Sequence, residues 1–83
     1  MSGNILIVKR DGKVEPFSLD KIKNAISRAF LSVGSFATQE ILTDILGRLS
    51  IHNGMSVEEI QNQVEFSLMS ERYFSVAKSY ILY

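Results

Sequence analysis

Asp11-Gly12 sits between two short runs of strand-forming residues, NILIVK at 4–9 and VEPF at 14–17. Asp-Gly between such runs is a strong hairpin signal, because both residues tolerate the backbone conformations that tight turns require. Two closures satisfy it. A two-residue loop would pair Arg10 with Lys13 and Val8 with Glu15. A three-residue loop, Arg10-Asp11-Gly12 with Gly12 left-handed, pairs Lys9 with Lys13, Val8 with Val14 and Ile7 with Glu15. The second is preferred, since it matches Val with Val and gathers Ile7, Lys9, Lys13 and Glu15 on one face. It also sets Lys9 opposite Lys13, a like-charge pair that is destabilising unless an anion lies between them. Pro16 marks the second run as an edge strand.

After the hairpin the period changes from two to 3.6. Ser18 is placed to cap a first helix, with Asp20 in its first turn. Leu19, Ile22, Ala25, Ile26, Ala29, Phe30 and Val33 form its apolar stripe, and Gly34 stops it. A second helix begins near Thr38 and aligns Ile41, Leu42, Ile45, Leu46 and Leu49. SIHNGM at 50–55 interrupts the pattern: Asn53-Gly54 reads as a turn, and Ile51 to Met55 as a short third strand. SVEE opens a third helix, with Ser56 as cap, Glu59 completing a capping box, and a stripe of Val57, Ile60, Val64 and Leu68. A fourth helix, from about Glu71, uses Phe74, Ala77, Tyr80 and Ile81. The chain then stops on SYILY, with neither a cap nor a terminal charge, which predicts that residues 1–83 are one domain cut from the N-terminus of a longer chain.

Composition excludes several functions. Eighty-three residues at 46% hydrophobic and 22% charged make one small globular domain rather than a disordered one. With no cysteine and a single histidine, His52, neither a disulfide framework nor a Cys-based or His-rich metal site can form, and no hydrolytic triad is available. The sequence has no apolar run of membrane-spanning length and no signal-peptide pattern, so the expected location is the cytoplasm, away from a membrane. Glu58, Glu59 and Glu65 read as caps and a solvated face, and Tyr73, Tyr80 and Tyr83 as core or interface. The charge is uneven: residues 1–28 carry a net +3 and residues 29–83 a net −3. That split favours a small anion near the N-terminal third over direct nucleic-acid binding, which calls for a broader basic face. Lys9, Arg10 and Lys13 surround the turn. Lys21 stands at the start of the first helix, where the dipole already favours an anion.

VKRDGKVEPFSLDKIKNAI, residues 8–26, resembles the opening of the ATP-cone domain, the regulatory nucleotide-binding module of ribonucleotide reductases. The shared pattern is Lys-Arg-Asp-Gly-x-x-Glu-x-Phe-x-x-x-Lys-Ile. NGMSVEEIQNQVEFSLM and the closing YFSVAKSYILY are similar to the family's later segments, so the resemblance covers essentially the whole chain. It implies an α+β fold in which a two- to three-stranded sheet lies as a lid over a four-helix bundle. It implies ATP or dATP as effector, with Mg2+, and no catalysis by the domain itself. Ile7, Ile22 and Ile60 would wall the adenine, and Glu15 and Ser18 would read its polar edge. Lys9 and Arg10 would bind phosphates, Lys21 would reach the ribose–phosphate region, and Val57 and Gln61 would face sugar and phosphates. Two positions depart from the family: Val57 stands where a threonine is common, and Ser18 where a longer polar residue often reads the base. The implied role is control of a reductase's overall activity through nucleotide-dependent assembly, with the rest of the reductase chain and its other subunit as partners. The alternatives are the cone of a reductase-gene repressor and a helical interaction module without a ligand.

Overall fold

The computed structural model describes residues 5–81, in the order β1 (Leu6–Val8), β2 (Val14–Pro16), α1 (Leu19–Ser32), α2 (Gln39–Gly47), β3 (Met55–Ser56), α3 (Val57–Ser70) and α4 (Phe74–Ile81). Residue 4 of the first expected strand and residues 82–83 of the closing YILY lie outside the described residues.

The hairpin closes in the three-residue form. Ile7 pairs with Glu15 and Val8 with Val14. Gly12 takes φ +85°, the Lys9 N–H donates to the Lys13 carbonyl at 2.7 Å, and the Asp11 carboxylate accepts from the Lys13 N–H at 2.9 Å. Glycine is required at this turn because a Cβ resists that left-handed φ. Pro16 ends β2, which is an edge strand because the sheet order is β2-β1-β3. The third strand is shorter and later than the sequence suggests: Ile51 is outside it, and only Met55 and Ser56 pair, in parallel, with Ile7 and Val8. Ahead of it, Asn53-Gly54 binds β1 by its own groups. Asn53 Oδ1 accepts from the Leu6 N–H and the Gly54 N–H donates to the Leu6 carbonyl, both at 2.8 Å.

The four helices surround one core of Ile26, Ala29, Phe30, Leu42, Ile45, Val64, Leu68, Val76, Ala77 and Tyr80. Each packs on two others: α1 on α2 and α4, and α3 on α2 and α4. Phe30 meets Tyr73 edge to face at 5.2 Å, and the Ser32 and Ser79 hydroxyls link α1 to α4. Two stripes differ from the expected ones. Leu19 and Val33, at the two ends of α1, are exposed. In α4, Phe74 is exposed and Val76 is buried in its place, because the helix starts at Phe74 rather than Glu71. The delay follows from the end of α3, where Arg72 adopts φ +66° and the Arg72 and Tyr73 N–H groups donate back to Met69 and Leu68. This is a Schellman stop, with an arginine where glycine is usual. Gly34, at φ +76°, ends α1 by the same pattern, with Gly34 bonded to Leu31 and Ser35 to Phe30.

A second, smaller core of Ile7, Met55 and Ile60, backed by Phe17, Ile22, Ile51 and Val57, glues the sheet to α1 and α3. Ile22 touches both cores.

Candidate functional site

Between the sheet and the helices lies a cleft of about 180 Å3, lined by Ile7, Glu15, Phe17, Ser18, Lys21, Ile22, Ala25, Val57, Ile60, Gln61 and Tyr80. Eight of the ten residues singled out from the sequence are in that lining. The other two, Lys9 and Arg10, line an adjoining open cleft with Glu15, Val57 and Gln61. One compact region therefore holds all ten. Each element supplies its share by local rules. Strand alternation turns Ile7 of β1 and Glu15 of β2 to the same face. Helical spacing brings Ser18, Lys21, Ile22 and Ala25 of the α1 start to one side, and likewise Val57, Ile60 and Gln61 of α3. The three additions are Phe17, Ala25 and Tyr80. Phe17 belongs to the quoted motif without having been given a role there. Tyr80 was read as core, which it also is.

The polar groups are held by one another. Glu15 Oε1 is 4.0 Å from both Lys9 Nζ and Lys21 Nζ, so one carboxylate sits between two ammonium groups. Arg10 Nη2 donates to Gln61 Oε1 at 3.1 Å and so ties the hairpin tip to α3. Lys13, expected to share an anion with Lys9, lines none of these clefts, and Lys9 turns to Glu15 instead. Ser18 occupies the N-cap position of α1 but accepts no bond from the first turn, contrary to the expected cap. Thr38 and Ser56 do cap, accepting from the Ile41 N–H at 3.3 Å and the Glu59 N–H at 3.1 Å. Tyr80 of α4 adds to the lining of the cleft, and burial pushes its hydroxyl above its ordinary pKa.

The cleft is chemically divided. Its inner part is apolar, walled by Ile7, Ile22, Ile60 and Phe17. Its mouth carries three cations, Lys9, Arg10 and Lys21, with one carboxylate among them. At 180 Å3 it is below the roughly 300–1,000 Å3 of sites that enclose a whole small molecule. It can take one ring system and leave the rest of a ligand outside, along the cations. Among the described residues no group of three His, Cys, Asp or Glu side chains could hold a metal ion.

Comparison with known proteins assigns the family. The model of the ATP cone domain matches residues 5–83. The chain belongs to the ATP-cone family. Similar proteins include the vitamin B12-dependent ribonucleoside-diphosphate reductase of Thermoplasma acidophilum, 47% identical over 85 residues, with 93% of this chain and 11% of that protein covered. The alpha subunit of ribonucleoside-diphosphate reductase of Chlamydia pneumoniae is 38% identical over 95 residues, covering 99% of this chain and 9% of that one. The anaerobic ribonucleoside-triphosphate reductase of Haemophilus influenzae is 35% identical over 88 residues, covering 96% and 12%. The chain thus spans about a tenth of the length of these relatives, and as an ATP cone it corresponds to a short regulatory segment of them rather than to their catalytic body. No described helix is long and apolar enough to cross a membrane.

Proposed function

We propose that the cleft binds the adenine base of ATP or dATP, and that this ATP cone senses the nucleotide to regulate a ribonucleotide reductase. The observation that carries the reading is the division of the cleft: a ring-sized apolar slot with Glu15 and Ser18 at its polar edge and three cations at its mouth. Ile7, Ile22 and Ile60 wall the base. Glu15 accepts from its exocyclic amine, and Ser18, whose hydroxyl is not used as a cap, reads the neighbouring edge. Lys9 and Arg10 take phosphates, Lys21 the ribose–phosphate region, and Val57 and Gln61 face the sugar and phosphates. Arg10 now bonds a neutral amide. A phosphate offers it a partner of opposite charge and a bidentate geometry that the amide lacks, so ligand binding releases Gln61. Glu15 likewise gives up the two lysines as it turns to the base. Magnesium, if it accompanies the nucleotide, is coordinated by phosphate oxygens and water, as suits an ion that keeps much of its hydration.

On this reading the four helices form one bundle under a sheet lid. The nucleotide lies where lid and bundle meet, and the remainder of a reductase chain and its other subunit are the partners. Regulation of assembly requires only that ATP and dATP favour different arrangements of the lid relative to α3, since a ligand shifts an equilibrium by its differential affinity for the two states. The similarity to three kinds of reductase favours this role over that of a transcriptional repressor. Calorimetric titration with ATP, dATP and GTP tests it. Saturable binding of the adenine nucleotides, with GTP markedly weaker, is the expected result. Equal binding of GTP, or no binding of any of them, would remove the assignment.

A further inference from the structure

We propose that Asn53-Gly54 is a hydrolytic modification site, guarded by β1, whose conversion to isoaspartate loosens the attachment of β1 to the entry of α3. Both residues are exposed, and a Cβ at Gly54 would meet nothing within 4 Å, so the peptide between them is open to water. Asparagine followed by glycine is the arrangement in which a backbone nitrogen most easily attacks the preceding carboxamide, because no Cβ obstructs the ring. The Gly54 nitrogen loses its proton to solvent base and bonds to Asn53 Cγ. The Cγ–Nδ2 bond breaks, ammonia leaves, and a five-membered succinimide remains. One water then opens the ring. Attack at Cγ gives aspartate at position 53, and attack at the main-chain carbonyl gives isoaspartate, with the chain rerouted through the side-chain carboxyl.

In the folded protein both reacting groups are occupied. The nucleophile's N–H is donated to the Leu6 carbonyl, and the carboxamide oxygen accepts the Leu6 N–H, each at 2.8 Å. The Gly54 N–H must leave the Leu6 carbonyl before it can lose its proton, and the Leu6 N–H holds the carboxamide in place, so cyclisation waits for β1 to leave this edge. The two products then differ. Aspartate keeps an oxygen for the Leu6 N–H. Isoaspartate adds a methylene to the backbone and throws the Gly54 N–H out of register with Leu6. β1 is the middle strand, so losing this anchor loosens its Leu6 end beside the entry to α3, while the pairing of Ile7 and Val8 with Met55 and Ser56 and the helical core remain.

The test ages the 83-residue chain and a free peptide of residues 48–60 together at mildly alkaline pH. Conversion at position 53 is mapped by peptide mass spectrometry and isoaspartyl methyl transfer. The peptide is expected to convert, and the folded chain at least about tenfold more slowly, the order of protection that a locally opening edge gives. Low urea should narrow that gap before the helical circular dichroism changes. In isoaspartate-containing chains the Leu6 amide should exchange faster. The Phe17 amide, bonded to the Ile5 carbonyl within the hairpin, and the helix amides should keep their protection. Equal rates in chain and peptide, an inert peptide, a gap that closes only when the helices melt, or unchanged Leu6 protection after conversion would each overturn the proposal.

Discussion

On the proposed reading of the cleft, single side chains decide how it discriminates between nucleotides. Lys9→Gln is expected to weaken ATP and dATP alike, because it removes a phosphate contact that the two share. With the lysine side chain 46% exposed, the loss should be roughly 1–2 kcal/mol, about five- to thirtyfold in Kd, and smaller at high salt. Titration calorimetry at two ionic strengths checks it, and an unchanged affinity would take Lys9 out of the site. Glu15→Ala should act differently. It removes the proposed acceptor for the adenine amine and also the anion between Lys9 and Lys21, so the ratio of ATP to GTP affinity should fall more than affinity for ATP does. Tyr80 gives a pH signature. Burial raises its folded pKa above the ordinary 10.0, so the folded state holds this proton more tightly than the unfolded one. Its contribution to stability is complete below the unfolded value and is lost as pH rises from there through the folded value. In urea melts between about pH 9 and 11, Tyr80→Phe should lose less stability than the unmodified chain.

At the scale of elements, the caps separate two serines that look alike in sequence. Ser56→Ala should cost about 1 kcal/mol of stability in urea melts, whereas Ser18→Ala should cost almost nothing, since only Ser56 accepts from its helix. The local sequence marks the difference in one place: Ser56 has Glu59 three residues on, the pattern of a capping box, whereas Ser18 has Lys21 there. The hairpin was legible because Asp-Gly, the Val–Val match and strand alternation all agree on one register. The first three helices were legible from the 3.6 period, apart from the ends of the α1 stripe. β3 was misplaced because it is two residues long and pairs in parallel with a strand nearly fifty residues earlier, which no local pattern encodes. The α4 stripe was misread because a left-handed arginine, rather than a glycine, ends α3. Arg72 is exposed, so Arg72→Gly should stabilise the chain by about 0.5–1 kcal/mol, the strain relieved less the freedom glycine has when unfolded. In the cleft the motif residues were legible, whereas Phe17, Ala25 and Tyr80 join it through packing across elements.

For the molecule as a whole, the core of a small domain leaves little margin. Phe30→Ala should cost about 3–5 kcal/mol, a large share of the total stability usual at this size. By contrast, Phe36→Ser and Phe66→Ser, at positions 72% and 73% exposed, should stay within about 0.5 kcal/mol, and urea melts of the three variants check both. The junctions before α2 and after β3 also differ in slack. Ser56 ends β3 and caps α3, so strand and helix meet with no spacer, and the phase of one is geared to that of the other. One alanine inserted after Ser56 would turn the α3 stripe of Ile60, Val64 and Leu68 by about 100° away from the core while the strand stayed fixed on β1. One alanine inserted after Ser35, in the exposed link between α1 and α2, would change only the length of a loop. The first insertion should abolish cooperative melting and the second should leave it. Growth or loss of sequence in such a domain is therefore tolerated before α2 and forbidden after β3.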